Sequence, residues 1–315
     1  MKKISRSYQL WSRYLILSTV GVMIFALYWC VFFNHSVTLR TEVKRFNPML
    51  ISLFQESNEG SAQQSFESVV VENVNEMKAL FENHDFKPFE EHVNVTEVPR
   101  IFLATLPRDL KTIRSLEDRK QMFVQALLPM ILAENEKILN DRRRLRTIEV
   151  KIERNQDLSN EDKFWVLTLA SRYKMKDAEK AETIVSELLK RVDIIPTSLA
   201  LSQAIIETGW GNSFAALQKN SAFGMTISDK VKYYESLQAS VEGYILNLNS
   251  NEAYKKMRLV RAELRAKGED LCSFKLAETL IRYSELGNLY VGRVKSIIKT
   301  HDLRQFDQAQ LVRAS

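Results

Sequence analysis

One glutamate stands in a setting suited to acid catalysis. Glu207 lies near the end of the segment Leu199-Ala-Leu-Ser-Gln-Ala-Ile-Ile-Glu207, which runs into Thr208-Gly-Trp-Gly211. Leu199, Leu201, Ile205 and Ile206, with Ala200 and Ala204, leave this stretch little polar face, so it reads as a helix buried on most sides. A carboxylate is costly to bury unless paired or neutralised. It also sits at the negative end of the helix dipole. Both effects favour the protonated form near neutral pH, the state a general acid needs to hand a proton to a leaving oxygen. The same pattern also fits a buried glutamate with a single structural hydrogen bond, and helix chemistry alone leaves the two readings level.

The elements that hold this residue follow from punctuation and period. Pro196 and Thr197 mark a helix start and Gly209 its end. Upstream, Met122, Phe123, Ala126, Leu127, Met130, Ile131, Ile138 and Leu145 carry the 3.6-residue period of a long helix over 115–154, with Pro129 as a candidate kink. Segments 160–173 and 176–192 read as further helices, with Asp177 or a neighbour capping the second. Downstream, Lys219–Met225 reads as a loop and Lys230–Glu235 as a short strand-like stretch. Helices are expected over 236–248, 257–266, 273–283 and 289–301, and a polar tail beyond Asp302 that frays.

Composition narrows the classes. Nine glycines and six prolines in 315 residues, with abundant Leu, Lys, Glu and Arg, favour a mainly helical protein. The net charge of +6 suits an anionic partner, whether cell-wall polymer, membrane surface or nucleic acid. No Arg/Lys stripe interleaved with aromatics supports the last, so nucleic acid is not expected. Cys30 and Cys272 make no disulfide framework, and the four scattered histidines have no metal-ligand spacing, so neither metal nor cofactor is expected. Residues 15–33 are almost uninterruptedly apolar and follow Lys2, Lys3, Arg6 and Arg13. They read as an uncleaved transmembrane anchor with residues 1–14 cytoplasmic and the rest of the chain beyond the inner membrane, in the periplasm. Residues 34–97 then form a stalk or linker, flexible around Ser57–Ser65 and interrupted by a candidate helix Val74–Glu82, ahead of one helical domain over 98–305 and a tail over 306–315.

Several blocks, met in one order, resemble a known family. Ser198-Leu-Ala-Leu-Ser-Gln-Ala-Ile-Ile-Glu-Thr-Gly-Trp-Gly-Asn-Ser213 is similar to the "slalaQaalESgWG.S" segment of bacterial glucosaminidase-domain peptidoglycan hydrolases. Asn220-Ser-Ala-Phe-Gly-Met225 is close to "NNLFGxK", Tyr244–Tyr254 to "DYvxxLxxnpaY", and Tyr283-Ser-Glu-Leu-Gly-Asn-Leu-Tyr290 to "YatdpxYa". Upstream, Asp118–Leu132, Asn135–Leu139 and Asp141-Arg142 resemble the Bax-type proteins of Gram-negative bacteria. The resemblance implies a mainly α, lysozyme-like fold that hydrolyses the β-1,4 bond after N-acetylglucosamine in peptidoglycan glycan strands. It implies Glu207 as the general acid and Tyr283 as an active-site tyrosine, with Trp210, Asn220, Phe223, Tyr244, Tyr254 and Tyr290 toward the sugar. Core packing is the competing expectation for each aromatic residue. Relatives carry a longer β-hairpin lobe after the "FGxK" loop, often with a second carboxylate. Here only Thr226–Glu235 fills the gap, with Asp229 and Glu235 as its acids. A non-catalytic glycan binder on the same fold and lytic-transglycosylase chemistry remain as alternatives.

Overall fold

The helix that carries Glu207 is apolar nearly all round, so the rest of the chain must enclose it. The computed structural model describes residues 67–90, 95–175 and 181–313. The N-terminus 1–14, the apolar run 15–33, the Ser57–Ser65 linker and Asp177 lie outside the described residues. Among those described, no helix is long and apolar enough to cross a membrane. The described residues belong to one packed unit, Phe66–Ser315.

The unit is mainly helical. Its helices are α1 (Val74–Glu82), α2 (Leu116–Glu153), α3 (Asn160–Arg172), α4 (Ala181–Arg191), α5 (Thr197–Thr208), α6 (Phe214–Lys219), α7 (Leu237–Ser250), α8 (Lys255–Ala266), α9 (Ser273–Ala277) and α10 (Asn288–Thr300). Strands are two residues each: β1 (Ser68–Val69), β2 (Glu97–Val98), β3 (Phe102–Leu103), β4 (Thr226–Ile227), β5 (Lys230–Val231) and β6 (Gln310–Leu311). The first pairs with β3 and β2 with β6, both parallel, while β4 and β5 form an antiparallel hairpin. Helix α5 packs against α2, α9, α10 and the turn Leu303–Phe306.

Helix α2 begins where Ser115 Oγ accepts the Asp118 N–H and runs through Pro129 without ending. Its residues Met122 to Asn135 are all buried, and that packing outweighs the loss of one intrahelical bond at the proline. A buried ionic junction ties three helices together just before α5. Asp193 is 1% exposed; its carboxylate accepts two bonds from Arg265 of α8 at 3.1 and 2.9 Å and lies 3.6 Å from Arg142 of α2. Its carbonyl accepts from Asn249 of α7 and from Arg261 of α8.

Two expectations are corrected. Of the expected stalk 34–97, the described residues 67–90 and 95–97 are not free: β1 adds to β3, and Met77 and Phe81 of α1 are fully buried. Their apolar side chains gain more by joining the core than by remaining in solvent. The tail does not fray either. Phe306 is fully buried, and β6 pairs with β2. Asp307 caps α5 from a distance in sequence. Its Oδ1 accepts the Ser198 N–H at 2.8 Å and its Oδ2 accepts the Ser198 hydroxyl at 2.9 Å. The carboxylate thereby satisfies a helix N-terminus that Pro196 leaves without a side-chain cap.

Candidate active site

The C-terminal end of α5 is built from a run of left-handed residues. Gly209, Trp210 and Gly211 have φ of 58°, 62° and 77°. The two glycines adopt this region freely, whereas the tryptophan does so at a cost of about 1–2 kcal/mol. A Cβ on Gly211 would stand 2.9 Å from the side chains of Leu110 and Phe123, so close packing requires glycine there. The Thr208 hydroxyl locks the turn by donating to the Ala204 carbonyl and accepting the Gly211 N–H. Glu207 is thereby left on the rim of α5, half-buried, with its side chain over the loop at Gly224.

The surroundings of Glu207 are aromatic and uncharged. Tyr290 of α10 donates its hydroxyl to Glu207 Oε1 at 3.1 Å. Tyr283 stacks on Tyr290 with ring centres 5.3 Å apart and donates to the Phe223 carbonyl at 2.9 Å. Phe223 stacks face to face on Tyr244 at 3.9 Å, and Tyr254 lies 6.0 Å from Tyr283. On the other side of the carboxyl, Gly224 has φ of 63°, and a Cβ there would stand 2.4 Å from Glu207 Oε2. Only glycine leaves room for that oxygen. Burial raises the Glu207 carboxyl above the ordinary glutamate range, and the hydrogen bond from Tyr290 offsets part of the rise. The arrangement can hold a proton on Oε2 and present it to a base at the rim.

The glucosaminidase family model, described as mannosyl-glycoprotein endo-β-N-acetylglucosaminidase, matches residues 182–303. Protein bax of Escherichia coli (strain K12) is 33% identical over 199 residues, covering 59% of this chain and 71% of that protein. The chain belongs to the Bax-type glucosaminidase-domain proteins. No solved structure matches it. Two supports of this Bax-type site stand outside the matched glucosaminidase segment, the long helix α2 and the Asp307 cap.

Of the residues singled out in the sequence, Glu207, Phe223, Tyr244, Tyr254, Tyr283 and Tyr290 come together. Their parts differ from a row of sugar-stacking faces. Phe223, Tyr244 and Tyr290 are at most 1% exposed, so they form the wall behind the acid and present no face to a ligand. Tyr283 is half-buried beside Glu207. Trp210 is directed elsewhere: its ring packs edge-on against Phe123, Phe89 and His301, in the core. Asn220 is a structural residue, left-handed at the end of α6 with its amide donating to the Tyr234 carbonyl. Asp229 and Glu235 are both exposed, Asp229 in the two-residue turn between β4 and β5 where Ser228 and Asp229 have φ of 48° and 61°. The hydrogen bond that Glu207 accepts comes from Tyr290, and neither of these acids pairs with it.

Three further participants had no role assigned from the sequence. Gln203 had a legible signal, lying four residues before Glu207 and so on its helix face. Gly224 was quoted only as part of a motif, since its closeness to Glu207 depends on how the loop folds back. Asp307 had no local signal, because it acts 109 residues from Ser198.

Proposed function

We propose that this protein hydrolyses the β-1,4 bond after N-acetylglucosamine in peptidoglycan glycan strands, with Glu207 as general acid. The frame is then a lysozyme-like helical domain with its hairpin lobe reduced to Thr226–Val231. The observation that carries the reading is a half-buried carboxyl, raised above its ordinary range and wrapped by phenols, with one oxygen over a glycine. Oε2 gives its proton to the glycosidic oxygen as the C1–O bond breaks, and positive charge develops on the sugar ring. Tyr283 flanks the acid at the rim. Among the described residues, no carboxylate is bonded across from Glu207, which favours assistance from the substrate's own 2-acetamido group. Its carbonyl oxygen bonds to C1 as the leaving oxygen takes the proton. Water then opens the resulting ring and returns a proton to Glu207, with retention at C1.

We further propose that residues 15–33 anchor the chain in the inner membrane, with the domain in the periplasm beside its insoluble polymer; the apolar run and its cationic N-terminal flank support this. The test is full-length wild type against Glu207→Gln on purified glycan strands. Release of reducing N-acetylglucosamine ends by wild type alone is the expected result. Equal release from both sinks the assignment of Glu207, no release from wild type favours the glycan-binding alternative, and anhydro ends detected by mass spectrometry would mark transglycosylase chemistry.

A further inference from the structure

The hydrogen bonds behind Glu207 run in one direction. Gln203 is fully buried, and both ends of its amide are engaged. Tyr244 donates its hydroxyl to Gln203 Oε1 at 2.8 Å, and Gln203 Nε2 donates to the Tyr290 hydroxyl oxygen at 3.0 Å. A phenol has a single proton to give. Since Tyr290 accepts from Gln203, its own proton is available for Glu207 Oε1 at 3.1 Å. Reversing the Gln203 amide would set its NH₂ against Tyr244 and strand the Tyr244 proton in the core, since Tyr244 has no exposed surface. It would also turn the Tyr290 proton toward Gln203 and leave Oε1 without a donor. Tyr244, clamped face to face on Phe223, therefore decides the orientation of a bond it does not touch.

We propose that Gln203 and Tyr244 are positioning residues for the acid: they hold the Tyr290 hydroxyl as a donor to Glu207 Oε1, so that Oε2, over Gly224, carries and delivers the proton. An oxygen that already accepts a hydrogen bond is the poorer site for the acidic proton, and the chain thereby selects one of two otherwise equivalent oxygens. The inference rests on reading Glu207 as the general acid. The titratable groups around Glu207 are all phenols: Tyr290 from α10, Tyr283 from the turn before it, Tyr244 from α7 and Tyr254 beyond. Burial pushes each of these above the ordinary tyrosine range, so none becomes charged while the carboxyl titrates.

The test is a carboxyl titration of full-length protein in detergent, labelled with ¹³C-glutamate, with the Glu207 signal assigned by its loss in Glu207→Gln. Tyr290→Phe is expected to raise the Glu207 pKa, because a donor to the carboxylate is lost. Tyr244→Phe should raise it by about half a unit, roughly a threefold change in the ionisation constant. The double variant should titrate like Tyr290→Phe alone. Where active, the same variants should move the alkaline limb of kcat upward in pH with KM unchanged. Additive shifts, or an unmoved pKa in Tyr244→Phe, overturn the relay. If Tyr244→Phe loses its near-UV circular dichroism, Gln203→Met takes its place with the same expectations, and loss of fold in both also overturns it. The titration needs no substrate. A wild type that cleaves no glycan therefore rejects the proposed activity, while the titration still decides the relay.

Discussion

Two acids of this chain, fourteen positions apart at opposite ends of the α5 region, occupy contrasting surroundings. Burial acts on both and by itself raises a carboxyl pKa. At Asp193 the guanidinium groups of Arg261, Arg265 and Arg142 outweigh it and leave the carboxyl below its ordinary range. At Glu207 the sole counterweight is one phenol, and the carboxyl stays above its range. Asp193 is therefore held as an anion that fastens helices, and Arg142 and Arg261 beside it also donate to the carbonyls of Leu189, Lys190, Arg191, Val192 and Ile194. Arg261 has no exposed surface, and burial, opposed by Asp193, lowers its guanidinium to about 10. What separates the structural acid from the proposed catalytic one is the charge of the neighbours, since depth alone would favour Asp193.

That contrast breaks most readily at Glu207. Replacing it with glutamine should lower glycan cleavage by about 10²–10⁴-fold, as expected for a lost general acid, without loosening the fold. Glycan-release assays paired with thermal melts check both halves. Asp193→Ala should do the reverse and destabilise by about 3–5 kcal/mol, because Arg261 and Arg142 are left buried without their counter-ion. Urea unfolding measures it, and a loss under 1 kcal/mol would mean that the junction is dispensable. Gly224→Ala places a methyl group 2.4 Å from Glu207 Oε2 at a φ of 63°; activity should fall by roughly 10²-fold, an effect of about 3 kcal/mol on the barrier, with a much smaller effect on Tm.

The pH dependence separates the two acids by sign. Glu207 is raised in the fold, so its contribution to stability is present below about pH 4.5 and is lost as pH rises through the folded value. Glu207→Gln should therefore gain on wild type in melting temperature as pH climbs from 4.5. Asp193 is lowered, so its contribution is present above about pH 3.8 and is lost as pH falls through the folded value. The Asp193→Asn deficit should shrink on acidification. The smallest effects belong to the hairpin acids. Asp229→Asn and Glu235→Gln are exposed changes and should alter kcat/KM by no more than roughly twofold, and a loss of about a hundredfold in either would restore a second carboxylate to the mechanism.

Local chemistry was readable in the sequence, and its reach across the chain was not. The span of α5, the left-handed Gly209 and the raised acid all follow from a short window of residue types, because helix period, end signals and burial are local properties. Helix α2 was legible for the same reason, since its apolar period persists for many turns. The aromatic residues were recognised, but their depth was not: the same tyrosine serves a core or a groove, and only packing decides. Trp210 reversed its expected direction because three successive left-handed residues turn the chain there. The described parts of the expected stalk 34–97 and tail 306–315 gave no core signal because their apolar runs are short and set among polar residues. Their structure comes from each other's strands and from α5.

The capping of α5 by Asp307 has a consequence for the order in which the protein is made. Ser198 and Asp307 are 109 residues apart, and the intervening chain includes every aromatic wall residue of the site. During synthesis, the helix bearing the acid leaves the ribosome with its first turn unpaired, and stays so until α10 and the turn after it have followed. Such long-range closure is slow relative to the growth of the helix itself. The helix bearing Glu207 is thus capped only once residue 307 has followed, and a nascent chain stopped short of it carries the motif without that cap.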